Sequence, residues 1–254
     1  MDDATIKSKI GRTWDDEAGY YDTHVSHGIQ TDEEKGLWKA AFSSVLPGDR
    51  DLRVLDVGCG TGAMGLVLAE MGHDVTGIDL SKGMMQVGEE KAAKQNLSMA
   101  FQVGDAEDPP FEPGSFDVVV NRHLLWTLPH PDTALANWYR VLKPGGMVMV
   151  VDGVWDDGRF GTRVKRRISD TLAGLLDPHP HGEKGYDPGV REVLPNRGGV
   201  PEDAARRYLA DAGFTRIAAL NLMNIRENQR RRLPWYRKIV ASTSYYLISG
   251  RKVE

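Results

Sequence analysis

The sequence predicts a single α/β domain built on a doubly wound, seven-stranded and mostly parallel sheet with helices on both faces. Three observations carry that expectation. Five short apolar runs alternate with longer helical stretches, which is the order of βαβ units. Glycine and proline punctuate the boundaries between them. At 254 residues and 28.1 kDa the chain is long enough to bury one large core of this kind.

Arg53–Val57 is a short apolar run that ends in glycines, and so reads as a buried parallel strand. Residues 63–71 then read as a helix stopped by Gly72, and Asp74–Asp79 as a second strand. Ser81 stands at the N-cap position of a second helix over residues 82–95. Residues 99–103, 116–120 and 147–151 supply three more strands, and a helix over residues 133–142 is ended by Pro144-Gly145-Gly146. Ahead of this core, residues 1–49 carry Trp14, Tyr20, Tyr21 and Trp38 and read as a cap of two helices. After it, residues 153–200 hold Gly, Pro and His clusters around one amphipathic helix over 163–176, too long for an ordinary connection and expected to form a lid. A helix over 201–212 and strands over 215–222 and Ser244–Arg251 complete the sheet within residues 201–254.

Composition narrows the function. Hydrophobic residues are 41% and charged residues 27%, and no apolar run approaches the roughly 18 residues of a membrane span, so no membrane partner is expected. The single Cys59 has no partner for an internal disulfide, and Met1-Asp2-Asp3 opens a polar start without a signal region, so a cytoplasmic location is expected. Residues 1–152 hold 13 Lys+Arg against 24 Asp+Glu, whereas residues 153–254 hold 19 against 12. The acidic core argues against general nucleic-acid binding; the basic remainder leaves an anionic partner open.

The sharpest motif is Asp56-Val57-Gly58-Cys59-Gly60-Thr61-Gly62, a strand running into a glycine-rich turn and then a helix. Such glycines let a backbone approach a ligand and present N–H groups near a helix N-terminus. Read loosely, Gly58, Gly60 and Ala63 also satisfy the dinucleotide fingerprint, with Asp79 at the end of the second strand, so an NAD-dependent oxidoreductase is one reading. Three further elements follow in order: Asp79 itself, Gly104-Asp105-Ala106 after the third strand, and Val141-Leu142-Lys143-Pro144-Gly145-Gly146 before the fifth. Together these resemble the class I S-adenosylmethionine-dependent methyltransferases, across most of the chain and most closely over residues 50–152. The segment Trp14-Asp15-x-x-Ala18-x-x-Tyr21-Asp22 is similar to the N-terminal Phe-Asp-x-x-Ala-x-x-Tyr-Asp element of the ubiquinone and menaquinone C-methyltransferases, with Trp in place of Phe.

The resemblance implies a Rossmann-like fold and S-adenosylmethionine as cofactor, leaving S-adenosylhomocysteine as product. It makes residues 50–152 the cofactor-binding core. A zwitterionic sulfonium has no pyrophosphate to neutralise, and its ammonium needs acceptors, which Asp56 and the turn carbonyls of Gly58, Cys59, Gly60 and Gly62 would supply. Asp79 would accept from the ribose hydroxyls. Gly104, Asp105 and Ala106 would meet the adenine, with Leu80 and Met84 over its face. Asn121 and Tyr21 would lie at the methionine end. Each has a plainer reading: Asp56 as a turn cap, Asp79 as a helix cap, Asp105 as a turn residue, Cys59 as packing and Met84 as core.

Methyl transfer relies mostly on positioning, so no universal catalytic residue is expected. His123 is the candidate base, with a histidine at a helix start or one step behind the site as its plainer reading. His24 and His27 with Tyr20 form a second candidate base cluster, and Tyr20, His24 and Trp126 are candidate substrate contacts, Trp126 otherwise a packing residue. His179 and His181, with Asp177, Glu183 and Asp187, invite a metal reading, but the lack of Cys and of convergent ligands favours a solvated loop, and no metal is expected. The basic runs around Arg163 to Arg167 and Arg230 to Arg232 read as exposed helix faces. The sequence lacks the Asn-Pro-Pro-Tyr and Pro-Cys motifs of base methyltransferases. The resulting expectation is methyl transfer to a small-molecule acceptor by a monomer or homodimer. The alternatives are an RNA or protein methyltransferase, or a non-catalytic S-adenosylmethionine-binding module.

Overall fold

The computed structural model describes residues 1–48, 51–176, 186–240 and 244–254. Its strands are β1 (Arg53–Val57), β2 (Asp74–Asp79), β3 (Ala100–Val103), β4 (Phe116–Arg122), β5 (Leu142–Val154), β6 (Thr215–Asn221) and β7 (Ser244–Arg251). They form one sheet in the order β3-β2-β1-β4-β5-β7-β6, parallel except where β7 runs antiparallel to β5 and β6. The helices are α1 (Asp3–Tyr21), α2 (Asp32–Val45), α3 (Ala63–Glu70), α4 (Lys82–Lys94), α5 (Pro131–Val141), α6 (Phe160–Leu176), α7 (Pro188–Val193), α8 (Glu202–Asp211) and α9 (Met223–Arg232).

Strand alternation builds the two layers, because successive side chains leave opposite faces. Leu55, Val57, Val119, Val148, Val150, Tyr246 and Ile248 pack with Leu135 and Trp138 of α5 and Leu209 of α8 on one face. Val54, Val118, Val120, Met147, Met149, Tyr245 and Leu247 pack with Trp38 of α2, Met64 of α3 and Ile225 of α9 on the other. A smaller cluster joins Ile6 and Ile10 of α1 to Tyr186, Val190 and Leu194, with Trp14, Leu80 and Trp126 beside it. The N-terminal helix and the end of the insert thus close over the strands' C-terminal edge.

Three features depart from the sequence expectation. β5 begins at Leu142, so Lys143-Pro144-Gly145-Gly146 lies inside an irregular strand; its pairing with β4 shifts register between Phe116 and Val118, and Gly145 takes φ +71°. Helices α7 and α9 were not foreseen. Met223–Arg232 reads MNIRENQRRR, and only Ile225 among its apolar residues is buried, so it lacks an apolar period. The basic run Arg230 to Arg232 is not simply an exposed face, because Arg232 makes a 2.5 Å ion pair with Glu34, which is fully buried. His179, His181, Asp177 and Glu183 lie outside the described residues. Asp187 accepts from Gly189 N at the start of α7 and pairs with Lys9 at 3.0 Å.

Candidate functional site

β1 connects outward to β2 while the chain returns to the other side at β4, so the carboxyl ends of β1 and β4 flank the switch point where open α/β sheets bind ligands. The turn after β1 requires its glycines. Gly58, Gly60 and Gly62 have φ of +63°, +52° and +77°, and a Cβ at Gly58 would meet Leu124 Cδ1 at 2.4 Å. Gly60 N donates to Asp79 Oδ2 and Ser81 N to Asp79 Oδ1, both at 2.8 Å, so one carboxylate ties the glycine turn to the end of β2. Ser81 Oγ caps α4 by accepting from Met84 N at 3.1 Å. Asp56 Oδ2 accepts from Gly65 N at 2.8 Å; burial pushes its carboxyl up to about 7.

The N-terminal motif seats α1 on this turn. Asp15 Oδ1 accepts from Ser81 Oγ at 2.6 Å and from Gly83 N at 2.9 Å, and Ala18 is buried in α1, where a Cβ at Gly83 would meet its Cβ at 3.3 Å. Asp22 accepts from Thr61 Oγ1 at 2.8 Å and pairs with Lys91 at 2.7 Å, while Lys91 also donates to Thr61 O. Trp14 and Tyr21, each one position before an anchoring aspartate and about two helical turns from each other, bring their rings together edge-on at 5.8 Å.

At the far side of the cleft Asp105 Oδ1 accepts from Glu107 N at 2.8 Å, and Lys7 bridges Asp105, Glu107 and Asp3 at 2.7 to 2.9 Å. His130 Nδ1 lies 3.1 Å from Glu107 Oε2. Asp3, Glu107 and His130 have the ligand types for a cation, and the Lys7 ammonium already serves two of them.

The end of the cleft beside β4 is the most unusual region. Tyr21, Asp56, Gly58, Gly60, Thr61, Met64 and Arg122 line a small cavity. Asn121 is fully buried and neither amide atom has a partner; Arg122 Nη1 is likewise unpartnered, although its other nitrogen donates to His27 O. His123 sits at φ +54°, a strained conformation for a residue with a side chain. Its ring stacks on Tyr245 at 5.5 Å, its Nδ1 is 3.9 Å from Asp152 Oδ1, and burial beside Arg226 and Arg122 holds it well below the usual imidazole range. His27 stacks on Tyr21 at 4.3 Å and is lowered to about 3, chiefly by burial. Both imidazoles are therefore neutral at pH 7. An aromatic enclosure continues from Tyr21 through Trp14 to Trp126 and Tyr186, and from Trp126 to Trp155 and His123, with centroid separations of 5.5 to 6.1 Å.

The structure brings together Tyr21, Asp56, Gly58, Gly60 and Asp79, with Cys59, Gly62 and Met84 packed directly around the turn. Cys59 is buried, and burial pushes its thiol up, so it packs against Gly77. Leu80 packs under Gly11 of α1, and Gly104 lies against Ile78. Ala106 is buried, and its carbonyl accepts from Trp138 Nε1 at 2.8 Å. Trp126 stands in the aromatic enclosure, and His24 lies 4.8 Å from His27. Tyr20 is not with them: it is 58% exposed on the outer face of α1. Sequence reasoning missed Arg122, Trp155, Tyr186 and Arg226. Arg122 carried a readable signal, a cation next to Asn121 at a strand end; the others are joined to the site only by tertiary packing.

The donor set suits a zwitterionic amino-acid moiety. Asp56 and the partly unpartnered Arg122 line one cavity and offer one negative and one positive group to an ammonium and a carboxylate. Residues 55–150 match the methyltransferase-domain family. A demethylmenaquinone methyltransferase of Renibacterium salmoninarum is 28% identical over 215 residues, 84% of this chain and 87% of that protein. One from Staphylococcus aureus is 34% identical over 155 residues, 59% of this chain and 63% of that protein. Among solved structures, Haemonchus contortus phosphoethanolamine N-methyltransferase 2 with S-adenosyl-L-methionine has a TM-score of 0.64 at 20% identity, covering 94% of this chain and 57% of that one. The [4+2]-cyclase SpnF has 0.63 at 19% identity, covering 97% of both chains, so the fold by itself does not assign the chemistry. The family match, the relatives and the glycine turn joined to Asp79 replace the dinucleotide reading: residues 55–150 carry a methyltransferase domain, and the protein is an S-adenosylmethionine-dependent methyltransferase with S-adenosylmethionine as its methyl donor.

Proposed function

We propose that the enzyme methylates a small, planar aromatic acceptor held in the enclosure of Trp14, Tyr21, Trp126, Trp155 and Tyr186. The single observation that carries this reading is that enclosure, in which rings from α1, the loop after β4 and both ends of the insert converge over the C-terminal edge of β4. Rings at these separations touch one another, so they form a continuous aromatic wall, which suits a flat apolar guest laid against it better than a long polymer. The demethylmenaquinone methyltransferase relatives support the same class of acceptor.

When bound, S-adenosylmethionine supplies an electrophilic methyl group on sulfur. In this reading Asp56 receives the cofactor's ammonium and Arg122 its carboxylate, Asp79 takes the ribose hydroxyls, and Asp105 with the Ala106 backbone takes the adenine. Tyr21 and Trp14 cover the cleft and keep water from the reacting atoms. Their contribution is positioning and desolvation, which together account for much of the rate in reactions of this type. Within the basic runs Arg232 is bound by Glu34, Arg166 by Trp155 O and Asp156, and Arg230 by Lys238 O, while Arg163, Lys165, Arg167 and Arg231 are exposed.

Radiolabelled methyl transfer is the test. Label from S-adenosylmethionine is expected in small bicyclic arenes bearing a hydroxyl or amino group, and Trp126→Ala should lower kcat/KM by about tenfold or more with S-adenosylhomocysteine affinity unchanged. Label appearing in RNA or protein instead, or transfer indifferent to Trp126→Ala, would contradict the reading.

A further inference from the structure

Two guanidinium groups stand side by side at the end of the acceptor enclosure, and among the described residues neither has a carboxylate within ion-pair distance. Arg122 faces the cofactor cavity and is assigned above. Arg226, presented by α9, lies flat over the Tyr245 ring with its carbon at 4.1 Å, donates to Gln229 Oε1 at 3.1 Å and reaches His123 Nε2 at 3.5 Å. Its Nε has no partner. The nearby acids do not balance it. Glu34 is committed to Gln229 at 2.7 Å and to Arg232. Asp152 is fully buried, with Oδ1 bound to Gly153 N at 2.8 Å and Oδ2 unpartnered.

A desolvated cation without a counterion is costly, and buried polar atoms normally find partners. Here the exceptions cluster: Arg226 Nε, Arg122 Nη1, His123 Nδ1, the Tyr245 hydroxyl and both amide atoms of Asn121. His123 also holds a left-handed backbone that places its ring between Tyr245 and Trp155. Arg226 and His123 keep partial exposure, whereas Tyr245, Asp152 and Asn121 are sealed behind them, as in the end wall of a slot. A guanidinium fork is the side chain best matched to a carboxylate or other oxyanion.

We propose that Arg226, backed by Tyr245 and flanked by His123, receives an anionic oxygen of the acceptor, a carboxylate or an ionised ring hydroxyl, and so selects acidic acceptors. The proposal takes its location from the aromatic-acceptor reading, but anion binding can be measured without the ring. Arg226 is a specificity-determining residue here, and α9 is the element that delivers it.

The test is calorimetry on the full chain saturated with S-adenosylhomocysteine, using 2-naphthoate, 2-naphthamide and acetate as probes. Naphthoate is expected to bind at least about tenfold more tightly than the neutral naphthamide, and Arg226→Met to abolish that preference without changing affinity for S-adenosylhomocysteine. Arg226→Lys, which keeps the charge and loses the fork, should retain a reduced preference. If acetate binds as well as naphthoate and only when Arg226 is present, the anion site stands and the aromatic reading falls. If naphthoate and naphthamide bind alike, the aromatic reading stands and the anion site is overturned. Absence of any anion binding, or a preference that survives Arg226→Met, also overturns it.

Discussion

Asp56 is the residue whose chemistry changes most when the cofactor enters. Alone it is a buried carboxyl near the end of β1 that accepts from Gly65 N in the first turn of α3, pushed up to about 7 by desolvation. A cationic ammonium beside it favours the ionised form, so binding draws the proton off. Affinity for S-adenosylhomocysteine should therefore fall about tenfold between about pH 8 and about pH 6, and Asp56→Asn should both weaken binding and flatten that dependence. A pH-independent affinity in the unsubstituted protein would separate Asp56 from the ammonium. The identity of Asp56, Asp79 and the turn glycines was legible because their backbone roles impose a local pattern: positive φ at three alternate positions and a carboxylate at each strand end. Arg226 and Tyr245 were not legible, since their meaning depends on α9 and β7 meeting His123 across more than 100 positions of chain.

At the scale of elements, α1 shows how spacing becomes assembly. Trp14, Asp15, Ala18, Tyr21 and Asp22 recur at helical intervals, so one face both anchors α1 to α4 and the glycine turn and walls the cleft. Each residue in that motif has a contact that explains its type. Asp22→Ala removes the anchor on Thr61 and Lys91; because the pair is about a quarter exposed, the loss should be on the order of 1 kcal/mol, or about fivefold in S-adenosylhomocysteine affinity. Faster proteolysis within residues 1–30 should accompany it. Unchanged proteolysis and affinity would show that α1 is held by its apolar contacts alone. In contrast α9 carries its function on polar residues, and with Ile225 as its one buried apolar side chain it offered no period to read.

For the whole molecule, the doubly wound parallel sheet followed from the alternation of apolar runs and helices, whereas the order of its strands is settled by their pairing. The antiparallel β7 was legible as a strand, and its place between β5 and β6 is settled by pairing. The segment over residues 153–200 was legible only as an over-long insert. Its rings Trp155 and Tyr186 pack against Trp126 of the loop after β4, and Tyr186 also against Trp14 of α1. No helix of the described residues is long and apolar enough to cross a membrane. Part of the basic charge of residues 153–254 turns toward protein groups, through Arg226, Arg232 and Arg166, while Arg163, Lys165, Arg167, Arg230 and Arg231 are exposed.

In the proposed site Asp79, bound to the glycine turn through Gly60 N, takes the ribose of a cofactor that carries a methionine zwitterion but no pyrophosphate. The most direct test of this site is a calorimetric titration of one preparation with S-adenosylhomocysteine and with NADH, repeated on Asp79→Ala. The account predicts submillimolar binding of S-adenosylhomocysteine, none of NADH, and a loss of about tenfold or more in Asp79→Ala. Binding of NADH, or an S-adenosylhomocysteine affinity untouched by Asp79→Ala, would contradict it.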